Sequence, residues 1–395
     1  SKIGRDWKVS VGLVGTAGRR QTPGYASGGA DDGTGGSGEV GWLSIGHQAI
    51  MMRPYLPQQY DGHYTATIPN NAAVAYSPLA AIYNSGYKKT RSTELRSNFT
   101  LEYQAPWLKG LTLKATGAYD YSTSQNKNLD TPYKTYAQTL TAGVPSWQLL
   151  DDPRSASETL NHLGEGQYTS EQMDGQIGAE YDRLFGRHHV DAMLMVEAQD
   201  IKTNSLGAYV DHVPFAELPE LSYGTALKES PVSGYSTHIR RAGYIFRLKY
   251  DYANTYLAEL SGRYDGSYKF SGNASGKRWG FFPSLSLAWR VTQEKFMQPA
   301  RGWLNDLKVR ASVGMLGNDS GLPEYMYLAT YAQGGNRFIG GTALKTLYTS
   351  GVPNLNLTWT KIRSSNVGFD ATLWDGKLGV EFDWFYNYNY NILTQ

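Results

Sequence analysis

Between residues 240 and 316, apolar and polar side chains alternate one for one over stretches of strand length. In residues 242–252 one parity is almost entirely apolar and aromatic: Ala242, Tyr244, Phe246, Leu248, Tyr250 and Tyr252. The other parity holds Arg247, Lys249 and Asp251. Because successive strand residues point to opposite faces, these sets lie on opposite sides of a sheet. A strand of about 11 residues with one such face fits a membrane-spanning strand with lipid on one side and water on the other. The pattern predicts a transmembrane β-barrel.

The same alternation predicts about eleven strands along the chain. They lie near 7–15, 94–104, 111–121, 174–182, 189–199, 241–252, 256–265, 281–291, 307–316, 362–374 and 378–388. Short turns, such as the Asp375-Gly376 hairpin signal, alternate with long connections over 16–93, 122–173, 200–240 and 317–361. In bacterial barrels the short turns face the periplasm and the long loops face outside.

An odd number of strands does not complete a bacterial barrel, whose strand count is even. An open sheet would also leave two unpaired edges in lipid. We therefore expect residues 1–395 to form part of an all-β, antiparallel outer-membrane barrel. At this density of strands, a barrel of about 22 strands would need roughly twice this length. Its remaining strands would lie outside this chain.

Composition narrows the class of partner. The net charge is +2, so no basic field suggests nucleic acid. No run of 18 apolar residues exists, which excludes a transmembrane helix. The 30 tyrosines and 10 tryptophans suit aromatic girdles at the two membrane interfaces. The absence of cysteine fits an exported protein but also many cytosolic ones.

Residues 260–318 carry a run of motifs in fixed order. They are Arg263-Tyr-Asp-Gly-Ser267, Arg278-Trp-Gly-Phe-Phe-Pro-Ser284, Ala288-Trp-Arg290, Leu307-Lys-Val-Arg-Ala-Ser312 and Gly317-Asn318. This run resembles the SusC/RagA-like branch of the TonB-dependent outer-membrane transporters of Bacteroidota-type bacteria. Residues 77–87 and 366–386 are similar to two further segments of that branch. In the family a plug domain and a TonB box precede the barrel, and neither is found in this chain.

The resemblance implies active import of a nutrient across the bacterial outer membrane. It suggests an oligosaccharide, a glycan fragment or a peptide as substrate. A SusD-like surface lipoprotein would act as a lid, and the TonB–ExbB–ExbD machinery would supply energy through the missing plug. Outer-membrane lipid would surround the wall. The resemblance implies no bound cofactor, metal or catalysis.

Two groups of residues are candidates for the functional surface. Glu259, Arg263 and Asp265 share a parity opposite to Leu260 and Tyr264, so we expect them to face the lumen. Aromatic side chains in the long loops could stack on sugar rings or apolar solutes, or simply pack the loops together. The residues favoured for substrate contact are Trp42, Tyr55, Tyr60, Tyr64 and Trp147.

The other motifs in the sequence give little evidence of function. The glycine-rich segment 33–38 matches a dinucleotide fingerprint, but it does not follow a strand of a βαβ unit. His188 and His189 are adjacent in a strand and so point to opposite faces, which disfavours a metal site. No catalytic grouping is evident by spacing.

Three other classes of protein remain as alternatives. They are a siderophore-type TonB-dependent receptor, an enzyme or adhesin barrel active at its rim, and a soluble β-rich protein. His212 and Glu217, which lie in a long loop, are the residues that keep the rim enzyme open.

Overall fold

The computed structural model describes residues 2–24, 45–46, 49–68, 77–141, 144–151, 161–226, 232–271, 277–322 and 324–392. The strands are β1 (Lys2–Ile3), β2 (Trp7–Pro23), β3 (Gln59–Tyr60), β4 (His63–Ala66), β5 (Gly86–Gln104), β6 (Leu111–Asp130), β7 (Thr135–Thr141), β8 (Val144–Leu150), β9 (His162–Phe185), β10 (His188–Asp211), β11 (Val232–Tyr252), β12 (Tyr256–Ser267), β13 (Trp279–Arg290), β14 (Leu304–Asn318), β15 (Thr330–Ile339), β16 (Thr342–Ser350), β17 (Thr360–Leu373) and β18 (Leu378–Tyr390). The helical elements include α1 (Pro78–Tyr83) and three 3-10 segments, Leu221–Tyr223, Val291–Gln293 and Lys295–Gly302; residues 45–46 and 49–51 are also helical. Within these ranges no helix is long and apolar enough to cross a bilayer.

One antiparallel sheet of 12 strands dominates the structure, in the order β1-β2-β5-β6-β9-β10-β11-β12-β13-β14-β17-β18. Apart from the two-residue β1, its members are the strands that the alternation predicts. Neighbours in the sheet follow one another in the chain, with loop elements inserted between some of them. This meander is the topology of an up-and-down barrel wall, and it confirms the predicted fold class of a partial transmembrane barrel.

Several strands are far longer than the alternation predicts. The alternation predicts β9 only over 174–182, yet this strand pairs with β10 without interruption from Phe185 opposite His188 to His162 opposite Asp211. The additional residues lie at the end that leads into the long connections. Beyond the bilayer both faces of a strand meet water, so the sequence no longer needs to alternate there.

One face of the sheet is apolar and the other is charged, as the alternation of residues along the strands predicts. On one face Leu248, Leu260, Leu285 and Val313 are direct neighbours on four successive strands. Their side chains are 45, 44, 41 and 39% exposed, an apolar row open to the surroundings. The opposite parity carries most of the ion pairs of the wall. Large exposed apolar rows of this kind match the lipid-facing band of a membrane barrel.

Tight turns close the short-connection end. The last turn contains four residues, since Leu373 pairs with Leu378. The two-residue hairpin predicted at Asp375-Gly376 is therefore wrong in length. Trp374, Asp375 and Gly376 all have positive φ, at 51°, 55° and 81°, so the Asp-Gly signal did mark the left-handed conformation.

Most of the buried core lies at the long-loop end, although Ala105, Val291 and Leu304 are buried at the short-turn end. Three small clusters lie at the long-loop end: Ile45, Ala80, Ala81 and Tyr133; Phe270, Phe282, Leu322, Leu357 and Trp359; and Leu129, Leu163 and Val213. A sheet that faces lipid on one side buries little by itself, so the compact packing occurs where the loops fold onto the strand ends. A four-stranded sheet, β3-β4-β7-β8, and the β15-β16 hairpin also lie in these connections.

Candidate functional site

Two separate loops meet in the four-stranded sheet and bring aromatic side chains together. Tyr60 on β3 and Trp147 on β8 stack with ring centroids 4.4 Å apart and planes 13° apart. Tyr136 on β7 meets the edge of Tyr60 at 5.2 Å, and His63 on β4 meets Tyr136 at 5.6 Å. We call Tyr60, His63, Tyr136 and Trp147 the aromatic cluster. It joins two residues that the sequence analysis favoured from different loops, Tyr60 and Trp147.

Local sequence explains why Tyr60 and His63 face each other. Asp61 and Gly62 have φ values of 47° and 75°, the backbone of a two-residue hairpin turn for which Asp-Gly is well suited. The turn pairs Tyr60 with His63. Strand β4 then pairs in parallel with β7, through Thr65 opposite Tyr136, and this contact joins the first long loop to the second.

The cluster combines apolar ring faces with a polar edge. The Tyr136 hydroxyl donates a hydrogen bond to the Asp61 carboxylate at 3.2 Å. Desolvation by the neighbouring groups, together with this bond, raises the pKa of Tyr136. Both effects favour the protonated phenol, which is the form that donates to Asp61. Tyr60 is 41% exposed, and Trp147 is half-buried, so part of the ring surface is open to a ligand.

The platform beneath the cluster is well packed. Ala80 and Ala81 of α1 are fully buried against Ile45 and Tyr133. The buried Ser77 donates its hydroxyl to the Thr65 carbonyl at 2.8 Å, which ties the start of α1 to β4. These contacts hold the four-stranded sheet over the strand ends.

The other favoured loop aromatics lie apart from this cluster. Tyr64 packs against the Ile45–Tyr133 group and stacks with Tyr83 at 6.0 Å, so its contacts are those of a packing residue. Tyr55 is 67% exposed and its hydroxyl accepts a hydrogen bond from Arg53 at 3.2 Å. Trp42 lies outside the described residues.

Tyr136 is the member of the cluster that the sequence analysis missed. It lies in residues 135–141, a short polar and apolar alternation inside a connection assigned as a loop. The Thr-Tyr-Ala run has good β-propensity, and this signal could have identified the strand. Its pairing with β4 is non-local, and nothing in either segment alone specifies it.

The polar face of the large sheet carries a continuous set of ion pairs. Arg263 contacts Asp265 at 2.9 Å and Glu197, two strands away, at 3.2 Å. Arg247 contacts Asp191 and Glu180 at 3.1 and 3.3 Å. The Lys249 ammonium lies 3.8 Å from Glu259. Glu259, Arg263 and Asp265, predicted to share a face, thus occupy the same charged surface.

A pocket of about 690 Å³ opens on the charged part of this surface. Its lining includes Asp191, Lys249, Glu259, Lys308, Arg310 and Asn366. Arg310 alone contacts Asp370, Glu381 and Asp383. His189 lies between Asp182 and Asp251 at 3.1 and 2.9 Å, which accounts for its side chain without a metal. Alternating fixed charges of this kind can bind polar groups.

Comparison with known proteins identifies the family. The family model described as "TonB dependent receptor-like, beta-barrel" matches residues 22–395. TonB-dependent receptor SusC of Bacteroides thetaiotaomicron is 25% identical over 337 residues, covering 85% of this chain and 30% of the relative. TonB-dependent receptor P3 of Formosa agariphila is 26% identical over 387 residues, covering 96% and 34%.

Solved structures agree on the fold. The RagAB peptide importer in its closed-closed state superposes with a TM-score of 0.73 at 20% identity, over 98% of this chain and 39% of that one. The chain thus spans about a third of the length of the curated relatives it matches. The sheet with its opposed apolar and charged faces, the long loops on one side and the family match agree, and the chain belongs to the TonB-dependent receptor-like β-barrel family of outer-membrane proteins.

Proposed function

We propose that the receptor containing this chain imports a nutrient across the outer membrane and that the aromatic cluster contacts this nutrient from outside. The main support for this proposal is the stacked pair of Tyr60 and Trp147. An exposed ring face beside fixed hydrogen-bonding groups suits the apolar face of a sugar ring or the side chains of a peptide. Asp61 and His63 would supply polar contacts at the edge.

The substrate class is an oligosaccharide, a glycan fragment or a peptide. Support comes from the relatives: one is the receptor SusC, and the RagAB structures are described as those of a peptide importer. We further propose that Glu259, Arg263 and Asp265 face the lumen and meet the plug domain. A SusD-like lipoprotein would cover the loops, and TonB–ExbB–ExbD would couple energy through the plug.

Substitution of Trp147 and Tyr60 by alanine tests the contact. Uptake into cells is measured for a mixture of fluorescently labelled oligosaccharides and, separately, for a mixture of labelled peptides. Loss of an aromatic contact that buries a ligand should cost about 1.4 kcal/mol or more, about a tenfold loss of affinity. Trp147→Ala should therefore lower uptake of one mixture and leave the other unchanged.

Tyr331→Ala is the matched control, because Tyr331 is an exposed loop aromatic of β15, 71% exposed, outside the aromatic cluster. If Tyr331→Ala and Trp147→Ala lower uptake equally, the cluster is not the contact site. Deletion of TonB should abolish uptake while leaving surface binding intact. Uptake that persists without TonB would contradict coupled import.

A further inference from the structure

A second pocket lies on the apolar face of the wall, near the long-loop ends of β9 to β12. Its volume is about 780 Å³. Ala198 and Ala242, paired across β10 and β11, form its floor. Trp279 forms one side, with its ring lying flat on Gly266, where an added Cβ would come within 2.9 Å of the indole. Small floor residues beside a large ring leave a recess in a surface that otherwise faces lipid.

The level of this pocket in the membrane follows from strand geometry. Tyr252 ends β11 at the short-turn side, and Arg240 of the pocket precedes it in the same strand. At about 3.3 Å per residue and a tilt of about 40°, Arg240 lies roughly 30 Å above Tyr252. The apolar band of such barrels is about 25 Å tall, so Arg240 lies at the outer headgroup level.

Aromatic residues at the lower edge of the pocket support this level. Trp279 packs against Tyr264 and Tyr244 with ring centroids 5.0 and 6.0 Å away. All three rings lie on the lipid-facing parity, and such groups mark the membrane–water interface. The pocket therefore opens where acyl chains give way to headgroups.

Charged groups line the upper edge. Arg240 donates from Nε to Asp200 at 2.9 Å, and the His238 ring lies 2.9 Å from the same carboxylate. The two terminal amino groups of Arg240 make no hydrogen bond to any residue that the structure describes. Its side chain is 68% exposed. Asp200 thus holds the guanidinium by one edge and leaves a two-donor edge free, a geometry that suits a phosphate.

A roof of tyrosines completes the recess. Tyr268 packs edge-on against Tyr325 at 6.2 Å, and its hydroxyl donates to Glu324 at 2.6 Å. Tyr327 also lines the pocket. These side chains belong to two different loops, so the recess has walls on more than one side. Phenol groups suit the boundary between acyl chain and sugar headgroup.

We propose that this pocket binds the phosphorylated headgroup of an outer-leaflet glycolipid. Arg240 contacts the phosphate, assisted by His238, while the first carbons of an acyl chain lie over Ala198 and Ala242 beside Trp279. The charge at the rim is complementary to an anionic headgroup, and the apolar floor is complementary to its chain. This site requires that the apolar face of the wall contacts the membrane, and it does not depend on which nutrient is imported.

Native mass spectrometry of the whole receptor, purified from outer membranes in mild detergent, tests the site. The probes are a diphosphorylated glycolipid of the outer leaflet and the same lipid after removal of its phosphates. Arg240→Glu should lower retention of the phosphorylated lipid at least tenfold. Arg19→Glu is the matched control: Arg19 is exposed on β2, on the lipid-facing parity and as far above Trp7 as Arg240 is above Tyr252, and it does not line this pocket.

Several results would overturn the proposal. One is equal retention by wild type and Arg240→Glu, and another is an equal loss in Arg19→Glu. Retention of the dephosphorylated lipid as strongly as the phosphorylated one would exclude headgroup recognition. Complete displacement of the lipid by millimolar inorganic phosphate would assign a free-anion site instead. Each variant is first checked for the heat-modifiable mobility of a folded barrel, and Ala242→Leu, which fills the floor without changing charge, should also reduce retention.

Discussion

At the residue scale, Gly376 and Gly379 separate the effect of backbone conformation from that of packing. A Cβ added at either position meets no atom within 4 Å. Gly376 has φ 81° in the last turn, whereas Gly379 lies in the extended strand β18. Gly376→Ala should cost about 1 kcal/mol of unfolding free energy because a left-handed backbone opposes Cβ. Gly379→Ala should be neutral or should stabilise by up to about 0.5 kcal/mol.

Urea unfolding of the folded receptor in lipid vesicles, followed by tryptophan fluorescence, measures both variants. Equal midpoints for Gly376→Ala and Gly379→Ala would mean that the turn relaxes to accept a side chain. The strain argument at Gly376 would then be wrong.

At the same scale, Asp319 illustrates a contact that the sequence could not show. It is 8% exposed and accepts hydrogen bonds from Ser267 at 2.7 Å and Arg241 at 3.1 Å. Asp319→Asn would leave the Arg241 charge without its partner, and we expect faster proteolysis of the loop around 319–328 with little change in the whole barrel. Glu217→Gln, in an exposed loop position, is the control. Lys269 also donates from Nζ to the Asp319 carbonyl at 3.0 Å. Unchanged proteolysis of the Asp319 variant would show that the contacts of Ser267 and Lys269 suffice to hold the loop.

At the scale of elements, the sequence predicted the membrane part of each strand and missed the rest for one physical reason. Alternation exists only where one face meets lipid and the other meets water. Residues 162–173 of β9 and 200–211 of β10 extend beyond this region, and their apolar residues do not keep to one parity: Leu163 and Tyr168 lie on opposite faces of β9, as Ile201 and Leu206 do in β10. The pairing of β4 with β7 depends on a contact between two distant loops, and this is why the aromatic cluster was predicted only as separate residues.

The β15-β16 hairpin is the element that the rest of the described chain contacts least. Its strands pair with each other from Thr330 opposite Ser350 to Ile339 opposite Thr342, and it belongs to neither of the other sheets. Replacing 331–349 with two glycines should leave assembly of the barrel unchanged, since the paired ends at Thr330 and Ser350 are already close. Heat-modifiable mobility in gels measures assembly.

A matched deletion sharpens this test. Removing 136–149, which includes the residues of β7 that pair with β4, should expose the buried Thr65 and Ala66 of β4 and lower the yield of folded protein. If the β15-β16 deletion is the more damaging of the two, the hairpin has contacts beyond the described residues.

At the scale of the whole molecule, one face of the barrel wall contacts lipid and the other contacts water. Exposed apolar rows on one face and ion pairs on the other leave most of the buried core to the loops at one end. Leu285 and Ser286 are consecutive residues of β13 at the same depth, on the apolar and charged faces respectively. Ser286 lies beside Glu259 and Ser312 and lines the pocket of the charged face.

Arginine at these two positions should therefore have opposite consequences. Leu285→Arg places a cation in the lipid band and should cost about 2–4 kcal/mol of folding free energy in the bilayer. Ser286→Arg places the same side chain in water beside the Glu259 carboxylate and should cost less than about 0.5 kcal/mol. Folding into vesicles, measured by urea titration, gives both free energies. Because size, charge and depth are equal in the two variants, a reversed order would mean that the apolar rows face inward, and the assignment of lipid and lumen to the two faces would have to be exchanged.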